Sequence, residues 1–283
     1  MFVPVVAAIV SSMKEPLIDI VAAPDPPGAA RWRAVAPGGV VAGVAGLWPV
    51  LPFGHDLLPP PAPAVRPDAA ELSLHVEPAW RRRGIGSRLL EAVRARATGP
   101  CLVADVAVDS AGEAFCLRHG FRRTGSRRHG LLVYSEVHPA WLGELIDAGH
   151  PGYLLTHWSG GLAGPPRLLH GSAGLRGPGL SGNAVLTAAG AGGDVAAYAV
   201  AVADEFPLPR ARQYGPTVLP GHRGRRLGRW VNAALIQRLR EVHPHVDEIE
   251  TAAAEDDTHL LAVHEHLGFQ PLRRTQVYEL ALP

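Results

Sequence analysis

Two stretches of the chain share one pattern of proline, arginine and glycine. The first reads VEPAWRRRGIG at residues 76–86, and the second reads VLPGHRGRRLG at residues 218–228. In each, a short apolar segment leads into a proline, an arginine- and glycine-rich turn, and a segment with helical periodicity. The pattern therefore predicts a strand, a turn and a helix, used once in each half of the chain.

A second pair of matching stretches supports an internal duplication. Residues 115–121 read FCLRHGF, and residues 263–269 read VHEHLGF. The prolines of the first pair lie 142 residues apart and the glycines before the final phenylalanines lie 148 apart, so order and spacing are nearly kept. Repetition at a fixed offset indicates repeated structural units. We therefore predict two similar domains, residues 1–138 and residues 139–283.

Length and composition fit this division and exclude some classes of protein. The 283 residues suffice for two domains of ordinary size, and a hydrophobic content of 47% excludes a wholly disordered chain. The 27 lysines and arginines are balanced by 26 acidic residues, which gives a net charge of +1. Because nucleic-acid binding needs a concentrated positive surface, we expect no nucleic-acid partner. Lys14 is the single lysine, so arginine alone does not mark a site.

Cysteine usage and the N-terminal segment predict a cytoplasmic protein. Cys101 and Cys116 are too few for a disulfide framework and form no zinc-binding CxxC motif. The apolar run at residues 2–10 follows no charged segment and is too short to span a bilayer. The histidines cluster at residues 243–245 and 259–266 without the spacing of a metal site. We therefore expect neither a metal nor a membrane partner.

Hydrophobic periodicity predicts the same order of elements in both halves. In the first half it predicts strands at 31–36, 40–47, 71–76, 102–108 and 131–137, with helices at 87–97 and 110–119. In the second half it predicts strands at 153–158, 195–202, 212–218, 247–252 and 277–281, with helices at 228–241 and 257–266. The proline-rich stretch 49–67 predicts a loop that could act as a lid.

The turn between strand and helix is suited to bind an anion. Backbone N–H groups at a helix start have no helical partner, and the helix dipole attracts negative charge. Gly84 and Gly86 would let a ligand approach the main chain, and Arg81, Arg82 and Arg83 can bind phosphate oxygens in pairs. The glycine spacing of a dinucleotide site and the lysine of a P-loop are both absent. The pattern predicts an anionic-cofactor site in at least one half.

The first turn resembles motif A, Arg/Gln-x-x-Gly-x-Gly/Ala, of the GNAT acyltransferases. The stretch 109–121, with Asp109, Phe115-Cys116 and Gly120-Phe121, is similar to their later Asn-x-x-Ala-x-x-Phe-Tyr-x-x-x-Gly-Phe element. Two such units in one chain resemble the tandem-domain GNAT proteins of the mycothiol synthase type. The resemblance implies an α/β (α+β) fold of two tandem GNAT-like domains, each a mixed, mostly antiparallel sheet flanked by helices.

The same resemblance implies acetyl-CoA, or another acyl-CoA, as co-substrate and no metal. The cofactor would lie along the strand ending at Val76, with its pyrophosphate on the turn and helix start. The residues at that place are Val76, Arg81, Arg82, Arg83, Gly84, Ile85, Gly86 and Ser87. The amine of a small molecule would attack the thioester directly in a ternary complex. This makes the chain an acyltransferase, most simply an N-acetyltransferase, and amines of secondary metabolism are within the range of the family.

Asp109 and Gly112 are mild departures from the family pattern, and three other positions bear on the function. Cys116 stands where the family often has a tyrosine that protonates the leaving thiolate, so it is a candidate acid, with solvent as the alternative. In the second half, Arg226 occupies the position of the first glycine and His264 that of the tyrosine. We therefore expect the second half to be a degenerate copy that shapes the acceptor cleft, packs on the first half or mediates a homodimer.

The strand before the first turn carries titratable groups that the second half lacks. Glu71, His75 and Glu77 share one face of this strand, and their counterparts are Gln213, Thr217 and Leu219. Acyl transfer to an ammonium needs a base, so we predict that the first half is catalytic and that one of the three acts as base. A solvated polar face is the alternative interpretation.

Two other functions are compatible with the sequence. The chain could be an inactive tandem-GNAT protein that binds acyl-CoA or a metabolite without turnover. It could also acylate a protein or peptide, for which the acidic stretch 255–257 would provide a groove for a basic chain.

Overall fold

The computed structural model of the chain describes residues 18–23, 30–49, 69–160, 183–204 and 208–283. The N-terminal apolar run lies outside these residues, and so does nearly all of the stretch predicted as a lid. The strands are β1 Asp19–Ala23, β2 Ala30–Ala36, β3 Val40–Pro49, β4 Ala70–Val76, β5 Cys101–Ala107, β6 Arg122–Val133, β7 Leu154–Ser159, β8 Ala184–Ala191, β9 Asp194–Ala203, β10 Arg210–Val218, β11 Glu248–Ala254 and β12 Gln270–Ala281. The helices are α1 Ile85–Arg94, α2 Ala111–Arg118, α3 Pro139–Asp147, α4 Leu227–Val242 and α5 Thr258–His266.

The predicted α/β class and the order of the predicted elements are confirmed. Three elements were not predicted, namely β1, α3 and β8. Strand β8 has the sequence AVLTAAGA and its first six residues are buried, so it shows no alternation of polar and apolar positions. Its alanine content also favours helix over strand. Periodicity therefore gave no signal for this strand.

All twelve strands form one continuous sheet, and the two halves exchange their last strands. The order is β1-β2-β3-β4-β5-β12-β6-β11-β10-β9-β8-β7. Strand β12 of the second half pairs with β5 of the first, while β6 of the first half pairs with β11 of the second. The two exchanged strands also pair with each other at the centre. Each half therefore completes the sheet of the other.

The exchanged strands begin much earlier than the sequence predicts. Strand β6 begins at Arg122 and not at residue 131, and β12 begins at Gln270 and not at residue 277. Their first parts read RRTGSRRH and QPLRRTQ, which are polar at nearly every position. A strand that is polar on both faces shows no period of two in hydrophobicity, so the prediction missed it.

Helices cover one face of the sheet and build two hydrophobic cores. Helix α1 buries Ile85, Leu89, Leu90 and Val93 in the first core, and Tyr278 of β12 belongs to the same core. The second core is centred on α4 and includes Leu132 and Tyr134 from the end of the first half. Because each core contains side chains from both halves, the strand exchange joins the halves through packing as well as through hydrogen bonds.

A parallel strand pair in each half separates soon after it begins. Strands β4 and β5 are in register only at Ala70 with Leu102 and at Glu71 with Val103. Strands β10 and β11 are in register at four positions, from Arg210 to Gln213. Beyond these points the strands diverge and leave a gap directly before each arginine-rich turn. These gaps and turns are the places where the sequence predicts a site.

Candidate functional site

The two turns have nearly the same backbone conformation. In the first turn Arg82 and Gly84 have φ angles of 64° and 74°, and in the second Gly224 and Arg226 have 77° and 60°. Arginine and glycine have thus changed places between two left-handed positions. Such a φ favours glycine, and it costs other residues roughly 1–2 kcal/mol. Both turns keep the shape that presents helix N–H groups, whichever residue occupies each position.

The first turn is open towards solvent. A Cβ built on Gly84 would meet no protein atom within 4 Å among the described residues. Arg81 donates from Nε to the carbonyl oxygen of Val76 at 3.0 Å, and the guanidinium of Arg83 lies 5.1 Å from the ring of Trp80. Arg82 makes no hydrogen bond or ion pair with the described part of the chain. The first turn therefore offers an accessible helix start next to arginine side chains.

Gly86 and Ser87 have structural contacts that the sequence did not reveal. A Cβ on Gly86 would lie 3.0 Å from Cε2 of Phe115, so this glycine permits α1 to approach α2. The Oγ of Ser87 lies 3.1 Å from Nε2 of His119, whose ring packs against Phe115. The sequence interpretation gave Gly86 a role in ligand approach, and the structure gives it a close helix contact.

The segment that follows α3 contacts the second turn, whose residues 223–226 are exposed. The hydroxyl of Tyr153 accepts a hydrogen bond from Nη1 of Arg225 at 2.9 Å and lies 3.0 Å from Nδ1 of His222. The ring of His150 packs on Trp230 at 4.6 Å. Part of the cationic and aromatic surface of this turn is therefore already used inside the chain.

A side chain bridges the gap of the second half. Nε2 of His264 on α5 lies 3.1 Å from the carbonyl oxygen of Gly215 on β10 and 3.4 Å from Oγ1 of Thr251 on β11. Burial lowers the pKa of His264, so the ring is held neutral in this position. In the first half no hydrogen bond between described residues crosses the gap beyond Glu71 and Val103. Beyond Glu71 the edge of β4 that faces this gap has no partner strand among the described residues. Arg81 uses the carbonyl oxygen of Val76, and an amide-containing ligand could bind the other main-chain groups.

Cys116 occupies the position in the first half that corresponds to His264. Its side chain is buried in the first hydrophobic core, and burial raises the pKa of its thiol to about 11. The structure therefore places this candidate acid in an apolar environment between α2 and the sheet.

The three candidate bases, two on β4 and one directly after it, have different environments. His75 and Glu77 are more than half exposed, and Nε2 of His75 lies 3.6 Å from Oε1 of Glu77. Glu71 lies on the face opposite to α1 and lines a large cavity. Burial raises the pKa of Glu71, although the positive charges of Arg212 and Arg127 act in the other direction. A raised pKa suits a group that must accept a proton near neutral pH.

The cavity lies over the sheet face that the helices leave free and has a volume of about 1010 Å³. It is lined by β4 and β5 of the first half, by β10 and β11 of the second, and by both exchanged strands. The acidic stretch 255–257 forms part of its wall. Side chains of both halves therefore enclose one space that reaches Glu71, and it is large enough for a small-molecule acceptor.

A buried charge network at the floor of the cavity was missed by the sequence analysis. His129 lies between two carboxylates, with Nε2 3.5 Å from Oδ2 of Asp105 and Nδ1 3.2 Å from Oε1 of Glu250. Burial alone would lower the pKa of His129, but the two carboxylates raise it. Burial would raise the pKa of Glu250, but its contacts with His129 and Arg273 lower that pKa to about 2. Asp105 could have indicated this network, because it is a charged residue in the otherwise apolar strand sequence CLVADVA and a buried charge needs a partner.

The described residues contain neither a metal-binding cluster nor a membrane-spanning helix. No group of three or more histidine, cysteine, aspartate or glutamate side chains in the described ranges is arranged to hold a metal ion. None of the helices in those ranges is long and apolar enough to cross a membrane.

Comparisons with known protein families find the same family in both halves. Residues 30–123 match the acetyltransferase (GNAT) domain, and residues 176–269 match the acetyltransferase (GNAT) family. No curated protein sequence matches significantly. Both matched segments contain one arginine-rich turn, the feature on which the resemblance in sequence rests.

Solved structures share this fold over most of the chain. A tandem GNAT protein from the clavulanic acid biosynthesis pathway is 24% identical, with a TM-score of 0.62 over 92% of this chain and 85% of that one. A GCN5-related N-acetyltransferase from Sphaerobacter thermophilus is 14% identical, with a TM-score of 0.55 over 89% and 80%. A GCN5-related N-acetyltransferase-like protein from Streptococcus suis is also 14% identical, with a TM-score of 0.54 over 87% and 86%. At these identities the likeness shows the fold alone.

Proposed function

Because this chain belongs to the GNAT acetyltransferase family, with one such domain in each half, we propose that it is an acyl-CoA-dependent N-acyltransferase that acetylates a small-molecule amine. GNAT domains support acyltransferase activity in general, and the family uses acetyl-CoA as co-substrate. The observation that carries the finer proposal is the position of Glu71. Glu71 is the last residue of β4 that pairs with β5, so it lies next to the gap. It also lines the cavity shared by both halves.

We assign acyl-CoA binding to the first half. The N–H groups at the start of α1 and the guanidinium groups of Arg81, Arg82 and Arg83 would bind the pyrophosphate. The free edge of β4 up to Val76 would bind the amide groups of the pantetheine chain. The hydrogen bond of Arg225 to Tyr153 and the bridging His264 in the second half support this assignment, since both use groups that a cofactor would need.

The proposed reaction needs few protein groups. Glu71 takes a proton from the acceptor ammonium, directly or through a water, and the free amine then attacks the thioester carbon. A C–N bond forms, the nitrogen gives its second proton to water, and the C–S bond breaks, which leaves the amide and the CoA thiolate. Main-chain N–H groups along the gap stabilise the oxyanion of the intermediate. Solvent supplies the proton to the thiolate, because the buried thiol of Cys116 is a weak acid.

Release of free thiol from acetyl-CoA tests this function directly. Thiol release with a panel of small amines, and mass spectrometry of the acylated product, are the expected results. Tight binding of CoA in calorimetry without turnover of any amine would instead support a protein that binds acyl-CoA without catalysis. Acylation of basic peptides in preference to small amines would favour a macromolecular acceptor along the wall formed by residues 255–257.

A further inference from the structure

A group of three polar side chains lines the cavity beside the proposed base. Glu71 comes from β4 of the first half, and Arg212 and Tyr214 come from β10 of the second half. Residues 212 and 214 alternate with Ala211, which packs towards the helices in the second core, so both point away from the helix-covered face. The two halves therefore contribute opposite charges to one space.

The three groups come from strands that lie far apart in the sheet order. Four strands lie between β4 and β10 in the sheet order, which in a flat sheet would separate them by roughly 24 Å. Glu71, Arg212 and Tyr214 nevertheless line the same cavity. Burial raises the pKa of Glu71, and the positive charge of Arg212 acts in the other direction. The cavity therefore receives side chains of both β4 and β10.

The polar ends of the three side chains have no hydrogen-bond or ion-pair partner in the described part of the chain, although the ring of Tyr214 packs against an apolar cluster of β8 and β9. Glu71 and Arg212 have no hydrogen bond or ion pair within 4 Å to any described residue, and the hydroxyl of Tyr214 has no hydrogen bond there. The other guanidinium groups of the cavity are engaged: Arg127 with Asp105, and Arg210 and Arg273 with Glu250. Among the described guanidinium groups of this wall, Arg212 is therefore the one without an ion pair to another described residue.

We propose that Glu71, Arg212 and Tyr214 form a subsite for an acceptor that carries a carboxylate as well as its reactive amine, such as an amino acid. The ammonium lies at Glu71, which takes its proton, and the carboxylate lies on the guanidinium of Arg212, whose planar donors bind carboxylates in pairs. Tyr214, neutral because burial raises its pKa to about 12, donates its hydroxyl hydrogen to the same carboxylate. This inference rests on the proposed acyl transfer and names its acceptor class.

The charge of the whole cavity favours a carboxylate over a phosphate. Eight carboxylates and four guanidinium groups line the cavity. A doubly charged phosphate would meet more repulsion in such a space than a singly charged carboxylate would. An acceptor with one positive and one negative group adds no net charge, so the pair formed by Glu71 and Arg212 can bind it without an uncompensated charge.

The test compares acceptors that differ in the carboxylate alone. L-Amino acids are assayed for thiol release from acetyl-CoA beside their methyl esters and their decarboxylated amines. The wild type is expected to use the free amino acids with the highest kcat/KM. R212Q should raise the KM for a free amino acid roughly ten- to a hundredfold, as expected for a lost charged hydrogen-bond pair, and leave the KM for the ester within about twofold.

A matched variant and a binding measurement keep the outcome clear. R96Q removes an exposed arginine outside the cavity and should leave every KM unchanged. An equal rise in KM for amino acid, ester and amine in R212Q, or a wild type that does not distinguish them, would overturn the subsite. If no amine releases thiol, the acyl transfer itself fails. Calorimetric binding of the same amino acids to the CoA complex then decides: affinity lost in R212Q supports the subsite, and absence of binding to the wild type rejects it.

Discussion

Gly84 and Arg226 are equivalent residues of the two halves, each the left-handed residue directly before a helix, with φ angles of 74° and 60°. The fold imposes this left-handed conformation even on arginine, for which it is unfavourable. Glycine at position 84 is therefore not needed to form the turn. Its lack of a side chain instead leaves open the space in front of the first N–H groups of α1, where no described protein atom lies within 4 Å of an added Cβ.

Gly84→Glu should remove most of the affinity for CoA. The new side chain would project in front of the helix start, and its charge would repel the pyrophosphate. We expect a loss of about tenfold or more in calorimetric titration. Arg226→Glu is the matched change in the second half and should alter the affinity little. Equal losses in the two variants would contradict the assignment of the cofactor to the first half.

Arg226→Gly should stabilise the protein. The substitution relieves a left-handed conformation that costs a residue with a side chain roughly 1–2 kcal/mol. Glycine has more conformational freedom than arginine in the unfolded chain, and this offsets part of the gain. We therefore expect a net increase of about 1 kcal/mol in the free energy of unfolding, measured by urea denaturation. A decrease would show that the arginine side chain makes contacts worth more than the strain.

The local parts of the fold could be read from the sequence, because turns and helix starts are set by nearby residues. The strand exchange could not be read in this way. The alternation of Leu72, Leu74 and Val76 shows which face of β4 is buried, but it does not show which strand lies beside it. For β6 and β12 the sequence does not show even which face is buried, because polar residues on one side of these strands face a charged cavity.

The candidate site shows the same division. Glu71 was accessible to sequence analysis because it precedes the turn on an alternating strand. Arg212 was not, because it lines the same cavity as Glu71 only through the order in which strands of both halves join one sheet. The network around His129 joins residues from β5, β6 and β11, which no local pattern connects.

Glu71→Gln should lower kcat by roughly 10²- to 10⁴-fold, the range for a lost general base. The carboxylate is the active form, so activity falls as the pH falls through the raised pKa of Glu71, above the usual value near 4.3. The variant should lose this acidic limb of the pH profile. Glu77→Gln, at an exposed position directly after the same strand, serves as control. A larger loss in Glu77→Gln would move the role of base to that residue.

Cys116→Ala should affect stability more than catalysis. The side chain is buried in the first core, and its removal should cost about 1–2 kcal/mol in the free energy of unfolding. With solvent as proton donor to the thiolate, kcat should stay within about threefold of the wild type. A loss of kcat beyond tenfold at a temperature where the variant is folded would identify Cys116 as the catalytic acid.

His129 should make stability depend on pH in a defined direction. Burial disfavours its charged form, but the carboxylates of Asp105 and Glu250 raise its pKa above the unfolded value near 6.5. The stabilisation is therefore fully present below that value and is lost as the pH rises through the pKa of the folded protein. His129→Gln removes the charge and should cost about 2 kcal/mol at pH 6 and less at pH 9. Urea denaturation between pH 5.5 and 9 measures this difference, with the exposed His259→Gln as control. A cost that is the same at both ends of this range would show that the ring acts through packing and not through its charge.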